Sequence, residues 1–243
     1  MKANLHTHTT WCDGVNTPEE MIVAAIERRF DVLGFSSHSD MLEDPAAYRA
    51  EIYALKAKYA GRLEVRCGVE AEYSPLFHRD GYEYVIGAVH YVRAEDGARV
   101  AVDMSPESLR EGIVAHFGGS AERFIKAYFA AEREMLKAFD FDIMAHPDLI
   151  RKFNAKAPYF DEGASWYREE VARLAQAIAD SGKIVEINTG AISRGWLDDA
   201  YPAKEFRELL TTLGVKFIVS SDAHSADALD CEFERFTPLT SRA

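Results

Sequence analysis

The sequence predicts an α/β fold in which parallel strands close into one barrel. Three observations point there. Short apolar runs, often β-branched and ending in polar residues, recur along the chain, as buried parallel strands do. Helical stretches fall between most of them. A glycine-rich phosphate loop is absent, which weakens the competing open, doubly wound sheet. With seven candidate strands in place of the usual eight, the barrel is expected to be distorted.

In chain order the candidate strands are Ala3–His6, Val32–Ser36, Leu63–Glu70, Tyr84–His90, Phe141–His146, Ile184–Asn188 and Phe217–Ser221. Thr17-Pro18-Glu19-Glu20 reads as an N-cap, a first-turn proline and a capping-box glutamate, followed by the apolar stripe Met21, Ile22, Ala25 and Ile26. Ser105 to Phe139 reads as two helices broken near Gly118-Gly119. Val171, Leu174, Ala175 and Ile178 have helical spacing that Ser181-Gly182 stops, and Pro202–Leu213 is amphipathic.

The bulk properties narrow the function classes. A chain of 243 residues suits one barrel-sized domain, 1–243. No run reaches the ~20 apolar residues of a membrane helix, and MKANLHTHTT lacks the apolar core of a signal peptide, so a cytoplasmic protein is expected. Three unpaired cysteines argue against a disulfide framework and a cysteine-rich zinc site. Cys12 and Cys67 lie near strand ends and are expected to pack. A formal charge of −12 gives no overall attraction for nucleic acid or anionic membrane. An anionic substrate therefore needs local positive charge.

The chemistry lies at the strand ends. His6-Thr7-His8, His38, Glu70, His90, His146 and Asp222-Ala223-His224 all fall where parallel strands finish, and in a barrel those ends share one functional face. Residues two apart on an extended segment point the same way, so His6 joins His8 and Asp222 joins His224. Six of the eight histidines would gather there with Glu70, Asp222 and, after the first strand, Asp13. One such histidine is ordinarily satisfied by hydrogen bonds. Six packed together would have unpaired lone pairs or repel when protonated, and divalent metal resolves both problems. Nine candidate ligands exceed one ion's needs, so two or three ions are implied; zinc, iron or manganese suits the donor set.

This pattern resembles the PHP (polymerase and histidinol phosphatase) family over nearly the whole chain, most of all its histidinol-phosphatase branch. The supporting stretches are Gly68-Val69-Glu70-Ala71-Glu72-Tyr73, Tyr84 through Tyr91, His146-Pro147-Asp148-Leu149-Ile150 and Glu186-Ile187-Asn188-Thr189. The resemblance implies a distorted, TIM-like (β/α)7 barrel with a trinuclear metal centre. It implies that His6, His8, Glu70 and Asp222 hold two ions, that Asp13, His38 and His146 contribute to the third, and that His90 and His224 complete the set. It further implies hydrolysis of L-histidinol phosphate, a small phosphorylated substrate, to histidinol and inorganic phosphate in histidine biosynthesis.

Arg151 and Arg194 follow metal-bearing strands and are the candidate phosphate grips, with Lys152 and Arg93 behind them. Glu70, Asp222 and His224 are the candidate catalytic residues; Asp222 or a cluster histidine would protonate the leaving alkoxide. Glu72, Asp40, Asp103, Tyr73 and Tyr91 are candidates for the substrate's organic half. The core motifs also allow another phosphoester, such as a nucleotide or oligonucleotide 3′-end, although the acidic charge and missing basic stripe disfavour polynucleotides. An amidohydrolase fits His38, Glu70 and the terminal Asp-x-His poorly. A non-catalytic metal-binding domain would be expected to have lost ligands, and none is lost here.

Overall fold

The computed structural model describes residues 1–74 and 76–240. Position 75 and residues 241–243 of the expected domain lie outside the described residues. The chain runs β1 (Ala3–Asn4), α1 (Pro18–Glu27), β2 (Val32–Phe35), α2 (Pro45–Lys58), β3 (Glu64–Glu72), β4 (Tyr84–Ala88), β5 (Tyr91–Arg93), β6 (Arg99–Ala101), α3 (Pro106–Phe117), α4 (Ala121–Ala138), β7 (Ile143–Met144), α5 (Ser165–Ser181), β8 (Ile184–Asn188), α6 (Gly190–Ser193), α7 (Lys204–Thr212), β9 (Phe217–Ser220) and α8 (Phe233–Thr240).

Seven strands form one parallel sheet in the order β1-β2-β3-β4-β7-β8-β9. The first returns to the last: Thr7 bridges Ala223 in parallel, and the His8 amide donates to the Ala223 carbonyl at 2.8 Å. The sheet is thus a nearly closed, TIM-like barrel, as the seven apolar runs predict. Two departures come from local chemistry. β3 passes to β4 without a helix, and β5 with β6 adds an antiparallel hairpin that the apolar runs alone do not reveal. Its turn carries Asp96-Gly97, Gly97 at φ 86°, a recognised hairpin signature.

The helices begin where the sequence punctuates them. The Thr17 hydroxyl accepts from the Glu20 amide at 3.3 Å, and Glu20 accepts from the Thr17 amide at 2.8 Å, completing the predicted capping box. Ser105 and Ser120 cap α3 and α4, which Gly118 and Gly119 separate in left-handed conformations. Among the described residues no helix is long and apolar enough to cross a membrane.

The main core lies between the barrel wall and the helices; a second, small apolar cluster of Tyr84, Ile86, Ala88, Ile143 and Ala145, with Leu5 and Ile218 against it, fills the lumen. Tyr84 shapes that lumen. Its hydroxyl lies 2.6 Å from the Leu5 carbonyl oxygen and 3.0 Å from that of Phe35. Its ring occupies the space in front of Gly34 and Gly68, where a Cβ would come within 2.3 Å and 2.2 Å of it. Those glycines let one large ring cross a narrow barrel. Gly68→Ala should therefore destabilise the fold by about 1–3 kcal/mol through overpacking, read as a lowered denaturation midpoint; an unchanged midpoint would show that the ring can move aside.

Candidate metal centre

Most strands deliver their polar residue just past the ladder, but Glu70 sits inside one, paired with Ile86, because β3 runs two residues beyond it. β1 and β7 have only two residues in the ladder, so His6, His8 and His146 ride on extensions beyond it. Side chains take over the backbone bonds there. The Glu72 carboxylate accepts from the His90 amide at 2.8 Å, and the Glu186 carboxylate accepts from the His146 amide at 3.0 Å. Asp222 follows β9 at φ 50°, in the left-handed region that aspartate tolerates better than most residues.

Glu70 is the hub, 1% exposed. Its Oε2 lies 2.9 Å from His38 Nδ1, 3.3 Å from His6 Nε2 and 3.5 Å from His8 Nε2. Its Oε1 lies 3.0 Å from His146 Nε2 and 3.3 Å from His90 Nε2. Asp222 Oδ1 stands 3.1 Å from His8 Nε2 and 3.7 Å from His6 Nε2. Asp13, the most exposed member at 43%, reaches His224 Nε2 at 3.2 Å, with His38 and His8 at 3.8 and 3.9 Å. The ligand atoms of His8, Asp13, His38 and His224 lie within 4.8 Å of one another, as do those of His6, His8 and Asp222, and those of His38, Glu70 and His90.

The structure therefore brings all nine sequence candidates to one mouth. Within that mouth His146 stands against Glu70, and the ligand atoms of His224 and His8 gather with those of Asp13 and His38.

The residues fit divalent ions. His6 Nε2, His8 Nε2 and Glu70 Oε2 are buried with no hydrogen-bond partner among the described residues, although nitrogens and oxygens stand at contact distance. Their lone pairs converge on shared space, an arrangement that costs free energy unless a cation sits there. The electrostatics agree. Burial penalises every charge, yet His6, His38 and His90 hold Glu70 well below the ordinary carboxylate range, and Arg194 and His6 do so for Asp222. His8 is held well below the ordinary imidazole value by burial and by His224 and His38, whereas against the cost of burial the surrounding carboxylates raise His6, His38 and His90, so a cation that binds them displaces protons.

A cavity of about 380 Å³ opens onto the cluster, lined also by Asp40, Tyr91, Asp103, Lys152 and Arg194. Arg194 reaches Asp222 Oδ2 at 2.8 Å and His224 Nδ1 at 3.0 Å. Gly190 makes room: a Cβ there would lie 2.6 Å from the Arg194 guanidinium and 2.9 Å from Asp222 Oδ2. Arg151, the other expected phosphate grip, is placed elsewhere. Its guanidinium bonds Glu162 at 2.6 Å and approaches Asp148 at 3.4 Å, off the cavity wall. The next residue, Lys152, faces the mouth instead and bonds Asp103 at 2.9 Å. Neighbouring residues on a tight turn point apart, so only one of the two cations could.

Comparison with known proteins agrees with this geometry. The family model described as PHP domain matches residues 4–190. The chain belongs to the PHP domain family. A relative named "Probable histidinol-phosphatase" from Deinococcus radiodurans is 29% identical over 251 residues, covering 94% of this chain and 88% of the relative. The histidinol-phosphatase of Bacillus subtilis is 23% identical over 97% of this chain and 98% of its own. Among solved structures, hisK of Listeria monocytogenes superposes with a TM-score of 0.86 at 22% identity, covering 97% of this chain and 100% of that one. Histidinol phosphate phosphatase of Lactococcus lactis, solved with zinc, L-histidinol and phosphate, gives a TM-score of 0.75 at 19% identity over 99% and 93% of the two chains. These structures share the barrel of this PHP domain.

Two acids stand behind cluster histidines: Glu72, expected instead to meet the substrate's organic half, and Glu186, for which the sequence suggested no role. Glu72 Oε2 lies 3.2 Å from His90 Nδ1, and Glu186 Oε2 lies 2.8 Å from His6 Nδ1. Strand alternation could have found both, since each is two residues from a side chain directed at the mouth, Glu70 or Asn188. Glu70→Ala, which removes the carboxylate shared by five histidines, should lower bound metal below wild type by elemental analysis of reconstituted protein; wild-type metal content would contradict the hub role.

Proposed function

We propose that this PHP domain is a metal-dependent phosphomonoesterase that hydrolyses L-histidinol phosphate to L-histidinol and inorganic phosphate. One observation carries the reading: nine metal-competent side chains meet at a barrel mouth whose cavity wall also holds Arg194 and Lys152. The names of the relatives, and the zinc, L-histidinol and phosphate in the Lactococcus structure, support the same substrate.

Divalent ions bound by this cluster supply Lewis-acid charge and activate water near neutral pH. Glu70 and Asp222 contribute the buried negative charge that holds them, with His6, His8, Asp13, His38, His90, His146 and His224 as the remaining ligands. Arg194 has five N–H donors, and its contacts with the Asp222 carboxylate and the Asp222 carbonyl use two. Donors that remain serve a phosphate oxygen as charge-assisted hydrogen bonds. Lys152 adds positive charge at the same wall. Asp222 or His224, both beside Arg194, would take the proton that the attacking water gives up and relay it to the leaving alkoxide, so the proton count closes.

The alcohol half of the substrate carries an ammonium and an imidazole. Asp40, Asp103 and Tyr91 line the cavity and offer charge and a ring face to them. Glu72 and Tyr73 line an adjoining groove of about 880 Å³. The acidic balance of the chain suits this cationic half better than a polynucleotide.

Purified protein should release phosphate from L-histidinol phosphate in preference to sugar phosphates, nucleotides and single-stranded DNA. The activity should vanish with a chelator and return with zinc or manganese. Preference for another phosphoester would remove the substrate assignment, and chelator-resistant turnover would remove the metal. Arg194→Ala should lower kcat/KM by about 10- to 100-fold, the equivalent of one charge-assisted hydrogen bond, in steady-state phosphate release.

A further inference from the structure

We infer that Glu186, outside the ligand set, is a positioning residue of the metal centre: a buried anion that orients His6 and anchors the backbone that presents His146. The inference rests on the metal-centre reading above. Glu186 is fully buried in the lumen wall of β8. Three hydrogen-bond donors, the Ser220 hydroxyl, the His146 amide and the Asn188 side-chain amide, converge on its two oxygens together with His6 Nδ1, which an ionised carboxylate takes as a fourth donor. His6 Nδ1 at 2.8 Å and the Ser220 hydroxyl at 2.5 Å reach Oε2. The His146 amide at 3.0 Å and Asn188 Nδ2 at 2.7 Å reach Oε1.

Only an ionised carboxylate accepts at all of these positions. A buried charge with four donors is compensated, whereas the same charge left unpaired would cost several kcal/mol. The arrangement determines what His6 can do. With its Nδ1 proton committed to Glu186, the ring turns Nε2, bare and unpartnered among the described residues, toward Glu70 and Asp222. A carboxylate behind an imidazole fixes the ring's orientation and raises its basicity toward a metal. Glu186, on β8, therefore ties the ends of β1, β7 and β9 together at the level of the cluster.

Glu186→Gln isolates the effect, because glutamine matches the shape and presents an NH2 where one oxygen stood. Turned toward His6, that NH2 requires Nδ1 as an acceptor and drives the ring proton onto Nε2. Turned the other way, it meets the His146 amide and Asn188. Zinc titration of metal-free protein by calorimetry should show the tightest site weakened by about 10- to 100-fold. Glu132→Gln is the control. It alters another fully buried carboxylate, on α4, that bonds Tyr128 at 2.6 Å and no ligand side chain, and it should match wild type.

Wild-type affinity in Glu186→Gln overturns the inference, as does an equal loss in Glu132→Gln. Wild-type protein that takes up no zinc overturns instead the metal reading beneath it. Nitrogen NMR of zinc-loaded wild type with labelled histidine needs no variant to fold. His6 should carry its proton on Nδ1, and a proton on Nε2 overturns the proposal.

Discussion

The structure depends on one buried carboxylate among five imidazoles. Glu70 alone in the lumen would be driven to protonate, because burial penalises its charge. The histidines alone would repel when charged and waste lone pairs when neutral. Together they hold each other in usable states, and the remaining cost is one that cations remove. Six of the seven strands of the barrel carry a member of this cluster at or near their ends. The ladders of β1 and β7 stop after two residues while their chains continue inward to it.

Around that hub the fold separates support from chemistry. Apolar side chains fill the space between wall and helices, and a small plug fills the lumen below the polar layer. Between plug and ligands lies a layer of buried polar residues, among them Glu186, Asn188 and Ser220. It supplies the hydrogen bonds that the shortened ladders no longer provide, so the extensions are held by side chains where a longer sheet would use backbone.

The barrel and the gathering of histidines and carboxylates at its mouth were legible in the sequence because both follow from periodicity. Apolar runs of strand length gave the wall, and polar residues at their ends gave the mouth. Asp13 was readable as a neighbour of the His6–His8 extension, and the loop does bring it to His224, His38 and His8. What escaped was set by contacts between distant segments. Arg151 and Lys152 are equivalent in sequence; Glu162, eleven residues on, captures the first and leaves the second to the cavity. Glu186 looked like a strand residue and Glu72 like a candidate for the substrate, and only their partners on other strands reveal what they hold. The β5–β6 hairpin was missed because its strands are three residues long, although its Asp96-Gly97 turn was visible.

The ring of Tyr84 across the lumen has a consequence for traffic. With that ring pressed into the gaps at Gly34 and Gly68 and backed by Ile86, Ile143 and Ile218, the described residues close the barrel axis below the polar layer. Whatever enters by the polar mouth must leave from the same face, so arrival and departure are both events of one side of the barrel.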